Sequence, residues 1–103
     1  MEWQQLLADF FAGIFLANAV PHFVHGISGN KFPTVFSKPR GVGLSSPTTN
    51  VLWALFNLMI GYVLAKRGHV SSEEPATIVT LFIGIAAISL LLSKRFQKKH
   101  KEE

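Results

Sequence analysis

The chain has no cysteine. Disulfides, thiolate metal sites and cysteine nucleophiles are therefore excluded, and the sequence is silent about redox compartment. Charge is also scarce. Asp, Glu, Lys and Arg make up 16% of the 103 residues, against roughly 25% in ordinary soluble domains. Acidic residues are the rarest, six in all, so paired carboxylates for acid–base work are hard to assemble. There is no HExxH pattern and no internal repeat. The length suits one domain and no more.

What is present is apolar, and it is gathered into three charge-free runs. These are "FFAGIFLANAVPHFVHGI" (10–27), "TTNVLWALFNLMIGYVLA" (48–65) and "ATIVTLFIGIAAISLLLS" (76–93), each 18 residues long. The first extends backward past Asp9 to Leu6. A helix of 18 residues reaches roughly 27 Å, close to the hydrocarbon thickness of a bilayer. A soluble three-helix protein would need polar helix faces, and the third run offers only hydroxyls. The expected fold is an all-α membrane protein with spans at about 6–27, 48–65 and 76–93 and a basic tail at 94–103. The first run is read as a retained helix. The segment before it carries Glu2 and Asp9 and no Lys or Arg, where a signal peptide needs positive charge.

The connections set the threading. "KRGHVSSEEP" is a short hairpin with Pro75 placed for a first helical turn. "GISGNKFPTVFSKPRGVGLSSP" (26–47) is a 22-residue loop punctuated by Gly26, Gly29, Gly41, Gly43, Pro33, Pro39 and Pro47, which argues against a helix there. Loops of that length are often functional. Three spans put this loop on the same side as the C-terminal tail. That side holds Lys31, Lys38, Arg40, Lys94, Arg95, Lys98, Lys99 and Lys101, and the other side only Lys66 and Arg67. The bias predicts an N-terminus outside and a C-terminus in the cytoplasm. Ser45, Ser46, Thr48 and Thr49 are candidate caps for the second helix, with Pro47 at its start.

Polar and small residues recur at helical spacing inside the spans. Asn18, His22 and His25 lie at i, i+4 and i+7. Asn50, Ala54, Asn57 and Gly61 share a face of the second helix, and Thr77, Thr80 and Gly84 a face of the third. In lipid such residues prefer to meet one another, so Asn18, Asn57, Gly61, Thr80 and Gly84 are read as helix-packing positions in a bundle whose three stripes face each other. Pro21 leaves the carbonyl of Ala17 without its helical donor, and Asn18 is placed to help satisfy it.

His22 and His25 end the first span. As neutral imidazoles they can reach the interface or bond to Asn50 and loop carbonyls. Two imidazoles three residues apart can also share a metal, relay a proton or meet an anion. A zinc site would need two further ligands that the sequence does not supply, and no metal or cofactor is expected. The long loop returns to the same membrane face and carries Asn30, Lys31, Lys38, Arg40, Ser45 and Ser46 toward His22, His25 and Asn50. Cationic side chains, hydroxyls and glycine amides at an inner leaflet suit an anionic headgroup or a phosphate.

"NAVPHFVHGISGNKFPT" followed by "GLSSPTTNVLWALFNLMIGYVL" resembles a family of uncharacterised small bacterial integral membrane proteins. The resemblance covers roughly 18–64 and implies a small polytopic membrane protein with no assigned activity; the expected location is the bacterial cytoplasmic (inner) membrane. The small multidrug transporters, whose first helix carries a membrane-embedded acid, are not matched, because Asp9 falls close to the start of its helix.

The expected function is a cytoplasmic-face site for an anionic lipid, a phosphorylated ligand or a partner subunit. Lys31, Lys38 and Arg40 supply charge, His22 and His25 hydrogen bonds or a proton, and Asn50 orientation. An oligomeric transporter or proton-moving protein is the second reading, since three spans alone enclose no pore. An interfacial enzyme with His22 or His25 as base is a third, weakened by the missing acidic partner. An accessory subunit, docking its second-helix stripe on another protein's helix, is a fourth. Nucleic acid is not an expected partner, because the basic tail is short and has Phe96 as its only aromatic residue.

Overall fold

The computed structural model of the protein describes residues 2–40 and 42–101, the last four of these by their backbone alone. Gly41 of the long connection and the end of the basic tail, 102–103, lie outside the described residues. Three helices make up the fold: α1 (Trp3–Ile27), α2 (Pro47–Arg67) and α3 (Pro75–Lys101). All three are long and apolar enough to cross a membrane. The long axis measures 46 Å, more than the roughly 30 Å of a hydrocarbon core, so the bundle is long enough for both ends to reach headgroup depth. One end carries the connector 28–46. The other carries the hairpin 68–74.

The distribution of burial is the reverse of that in a water-soluble core. The largest fully buried side chains are Asn50, Asn57, Thr77 and Asp9, and the buried hydrophobic residues are Ala12, Ala19, Phe32 and Ala54. Leu52 (62% exposed), Met59 (67%), Phe82 (60%) and Leu90 (65%) face outward. In water that arrangement forfeits the main driving force of folding. In lipid it is favourable, because tails are as apolar as leucine and polar or small residues gain by meeting inside.

α1 is the middle of the bundle. Both α2 and α3 pack along it and scarcely meet each other. The three stripes therefore do not converge on one axis. The α2 stripe, Asn50, Ala54, Asn57 and Gly61, is buried, and Leu16 of α1 lies where a side chain on Gly61 would go. The α3 crossing is closer. A Cβ on Gly13 would strike the carbonyl of Leu81, and one on Gly84 the carbonyl of Phe10, so two backbones touch where neither glycine has a side chain. This is the small-residue packing that membrane helices use.

The helix ends follow from local chemistry. Ser46 caps α2 by accepting from Thr49 N at 3.1 Å, with Pro47 at the first helical position. α1 runs unbroken through Pro21. It stops at a Schellman motif, with Asn30 N donating to His25 O (2.8 Å), Gly29 N to Gly26 O (3.2 Å), and Gly29 at φ 75°. α2 ends in the same motif, with Val70 N donating to Ala65 O (3.2 Å) and His69 N to Lys66 O (3.1 Å). There the left-handed position, φ 51°, belongs to His69, and the glycine stands one residue earlier. α3 starts at Pro75, where Thr77 Oγ1 donates to Glu74 O (2.7 Å) and accepts from Ser71 N (3.1 Å). It then continues as helix through Lys94 to Lys101. The basic tail has no proline or glycine to stop it, and Lys, Arg and Gln are good helix formers.

Candidate functional site

Asn50 organises the connector end. It is fully buried one turn into α2. Its Nδ2 faces three carbonyls, Phe32 O (3.0 Å), Ser46 O (3.0 Å) and Ser45 O (3.2 Å). That leaves its Oδ1 toward His22 Nδ1 at 2.9 Å. The direction of this last bond follows from the others. A group facing three carbonyls must be the amide nitrogen, so the oxygen faces the imidazole and His22 Nδ1–H is the donor. One amide thus ties α1, α2 and both arms of the connector together.

The connector closes over this hub. Phe32 and Ser45 form an antiparallel bridge with N–H···O distances of 3.2 and 3.0 Å. Thr34 Oγ1 and Ser45 Oγ are 2.6 Å apart, and Ser37 Oγ donates to Thr34 O at 2.6 Å. Thr34, Ser37 and Ser45 are all buried. The Phe32 ring stacks on His25 (4.3 Å, 13°), meets His22 edge-on (5.5 Å) and touches Phe96 of α3 (4.8 Å). Phe36 packs edge-to-face on Trp53 at 5.1 Å. His25 is half-buried, and its Nδ1 has no hydrogen-bond partner among the described residues.

The candidate residues divide into two groups. His22, His25, Ser45 and Asn50 come together under the connector. Ser46 is an N-cap and exposed. Asn30 is exposed and gives its backbone N–H to the end of α1. Lys31, Lys38 and Arg40 are exposed on the outer side of the connector. They alternate there with Val35 (51% exposed), Phe36 (62%), Val42 (57%) and Leu44 (56%). A depression of about 420 Å³ is lined by Val35 to Arg40. Cations and imidazoles therefore occupy opposite sides of one layer of chain. Deeper in the bundle Asn18 Nδ2 donates to Asn57 Oδ1 (3.2 Å), and Asn57 Nδ2 to Trp53 O (2.7 Å). Asn18 is thus directed at α2 and not at the carbonyl freed by Pro21. Thr80 Oγ1 donates within its own helix, to Ala76 O at 2.7 Å.

The residues that sequence reasoning passed over are Phe32, Thr34 and Asp9. Phe32 is half of an X-Pro pair, which marks extended backbone, but its place between two histidines depends on the fold. Asp9, read from sequence as too close to the helix start to match the embedded acid of the small multidrug transporters, is fully buried, and neither carboxyl oxygen has a hydrogen-bond partner among the described residues. No group of three or more His, Cys, Asp or Glu side chains is placed to hold a metal ion among the described residues. Comparison with family models, with curated proteins and with solved structures finds no match.

Proposed function

We propose that this is a small polytopic integral membrane protein whose connector is an anion-attracting platform at the membrane surface, and that its ligand is the headgroup of an anionic lipid. The observation that carries this reading is the two-sidedness of residues 28–46. The inner side is fixed by Asn50, His22 and the Phe32–Ser45 bridge. The outer side presents Lys31, Lys38 and Arg40 among exposed Val35, Phe36, Val42 and Leu44.

That mixture suits an interface. Apolar side chains enter the acyl boundary while cations stay level with the phosphates. Each Lys or Arg near an anionic leaflet contributes about 1 kcal/mol, so the three together favour an anionic over a neutral surface by roughly two orders of magnitude. The basic excess at this end supports a cytoplasmic-facing connector by the positive-inside bias. A soluble phosphorylated ligand would meet the same cations without using the apolar residues between them.

The test is a titration of the protein in neutral detergent with short-chain phosphatidylglycerol, short-chain phosphatidylcholine and inorganic phosphate. Trp53 fluorescence is the readout, since Phe36 lies against Trp53. Phosphatidylglycerol is expected to bind about a hundredfold tighter than phosphatidylcholine. Replacing Lys31, Lys38 and Arg40 together by Gln should remove that preference. Equal binding of both lipids, or full competition by phosphate alone, would contradict the reading.

A further inference from the structure

We propose that Asp9, enclosed beneath the Gly68–His69 turn at the hairpin end, is a proton-binding site, loaded and unloaded from the His69 side, and that loss of its proton opens the turn. This is separate from the lipid platform, which lies at the other end of the bundle.

Burial comes first. Asp9 has no exposed surface, and both of its carboxyl oxygens lack a hydrogen-bond partner among the described residues. A carboxyl inside a membrane helix is costly and is retained where it pairs with something or carries something. An enclosed charge has to be balanced on the spot, by a proton or by a cation. A metal ion would find one carboxylate and backbone carbonyls, since no cluster of three ligating side chains exists among the described residues. A proton needs one oxygen.

The turn is built around the carboxyl. A Cβ on Gly68 would run into Asp9 Oδ1 and Cγ and lie 2.9 Å from Gln5 O, so Gly68 is glycine for space. Its own φ is −80°, which any residue adopts. The left-handed position falls instead on His69, at φ 51°. The equivalent position ending α1 is Gly29, at φ 75°. Glycine is the ordinary occupant there, and a side chain is strained. The strained conformation sets the imidazole beside a buried acid.

Charged groups face Asp9 from the elements around it. His69 in the turn and Glu74 ahead of α3 both act on it electrostatically. Lys66 and Arg67, in the last turn of α2, line a neighbouring groove of about 640 Å³ with Gln5, Ala8 and His69. On α1 the adjacent turns offer Gln5, Ala12 and Gly13, none of them titratable. His69 is exposed in that groove and follows directly on Gly68, the residue that covers the carboxyl. When Asp9 is ionised, His69 is the titratable donor that acts on it from the turn. Reaching it disturbs a turn that fits only while the carboxyl lies flat against Gly68.

The test uses the full chain in lipid nanodiscs. With no native cysteine, Ser72→Cys carries a single environment-sensitive fluorophore on the hairpin. A one-proton transition in fluorescence against pH is expected. It should be lost in Asp9→Asn, and moved in midpoint but kept in His69→Gln. Persistence of the transition in Asp9→Asn, or its loss in His69→Gln alone, would overturn the proposal. A second measurement does not depend on the variant folding. An apolar carbodiimide, which attacks protonated carboxyls, should label Asp9 of the native chain, and labelling should fall as pH rises. Absence of labelling at every pH would also overturn it.

Discussion

His22 and Asn50, 28 residues apart in sequence, meet by a 2.9 Å hydrogen bond between α1 and α2, and the remaining capacity of the Asn50 amide is spent on the connector. This gives Asn50 a role that no apolar residue can take. Asn50→Leu fits the volume but leaves His22 Nδ1 without its partner and takes one of two hydrogen bonds from each of Phe32 O, Ser45 O and Ser46 O. We expect a loss of about 2–3 kcal/mol, since buried groups stripped of a hydrogen bond cost about 1–3 kcal/mol each and partly find substitutes in a membrane. Asn50→Asp should be at least as harmful, because a carboxylate would face three carbonyls. Reversible unfolding in mixed micelles, followed by Trp53 fluorescence, measures both.

Asn18→Ala provides the contrast. It removes one interhelical bond of 3.2 Å from a half-buried residue. Membrane hydrogen bonds of this kind average about 0.6 kcal/mol, so the loss should stay below about 1 kcal/mol in the same assay.

Gly13 and Gly84 hold α3, and Gly61 holds α2. Gly84→Val should push α3 from α1, because the obstacle is the backbone carbonyl of Phe10 and backbone cannot rotate away. The Phe32–Phe96 contact at the far end of α3 should be lost with it. The α1–α2 pair should survive, because α2 and α3 barely touch. Gly61→Val should do the opposite, although its obstacle is the Leu16 side chain, which can partly give way. Cysteine pairs across each interface, crosslinked in membranes, distinguish the two outcomes.

At the hairpin end the signs of two neighbouring substitutions should differ. Gly68→Ala drives a methyl into Asp9 and should destabilise. His69→Gly relieves a left-handed side chain, and should stabilise by about 1 kcal/mol. Detergent unfolding of each single variant measures this directly.

Much of the fold is legible in the sequence because charge is so unevenly placed. The charge-free runs fall within the three helices, and Pro47 and Pro75 mark two of their starts. The tail is a case where a propensity was available and a composition contrast hid it. The shift from apolar to basic at Lys94 looks like a boundary, yet nothing in "KRFQKKHK" ends a helix. The central position of α1 is less accessible, since periodicity gives each helix a face without saying which faces meet. Asp9 is least accessible of all. Its burial depends on Gly68, 59 positions later in the chain, allowing a turn to lie flat on the carboxyl. The connector's inner network was half legible. The spacing of Asn18, His22 and His25 gave a face, but the bridge between Phe32 and Ser45 that seals it is a tertiary contact.

The absence of cysteine makes the most direct test simple. Lys38→Cys on the connector and Ser72→Cys on the hairpin are both exposed positions, and each would carry the chain's single thiol. A membrane-impermeant maleimide added to intact cells should label Ser72→Cys and leave Lys38→Cys unlabelled until the membrane is opened. Labelling of both from the same side, or recovery of either variant in the detergent-free soluble fraction, would contradict three crossings with the connector facing inward.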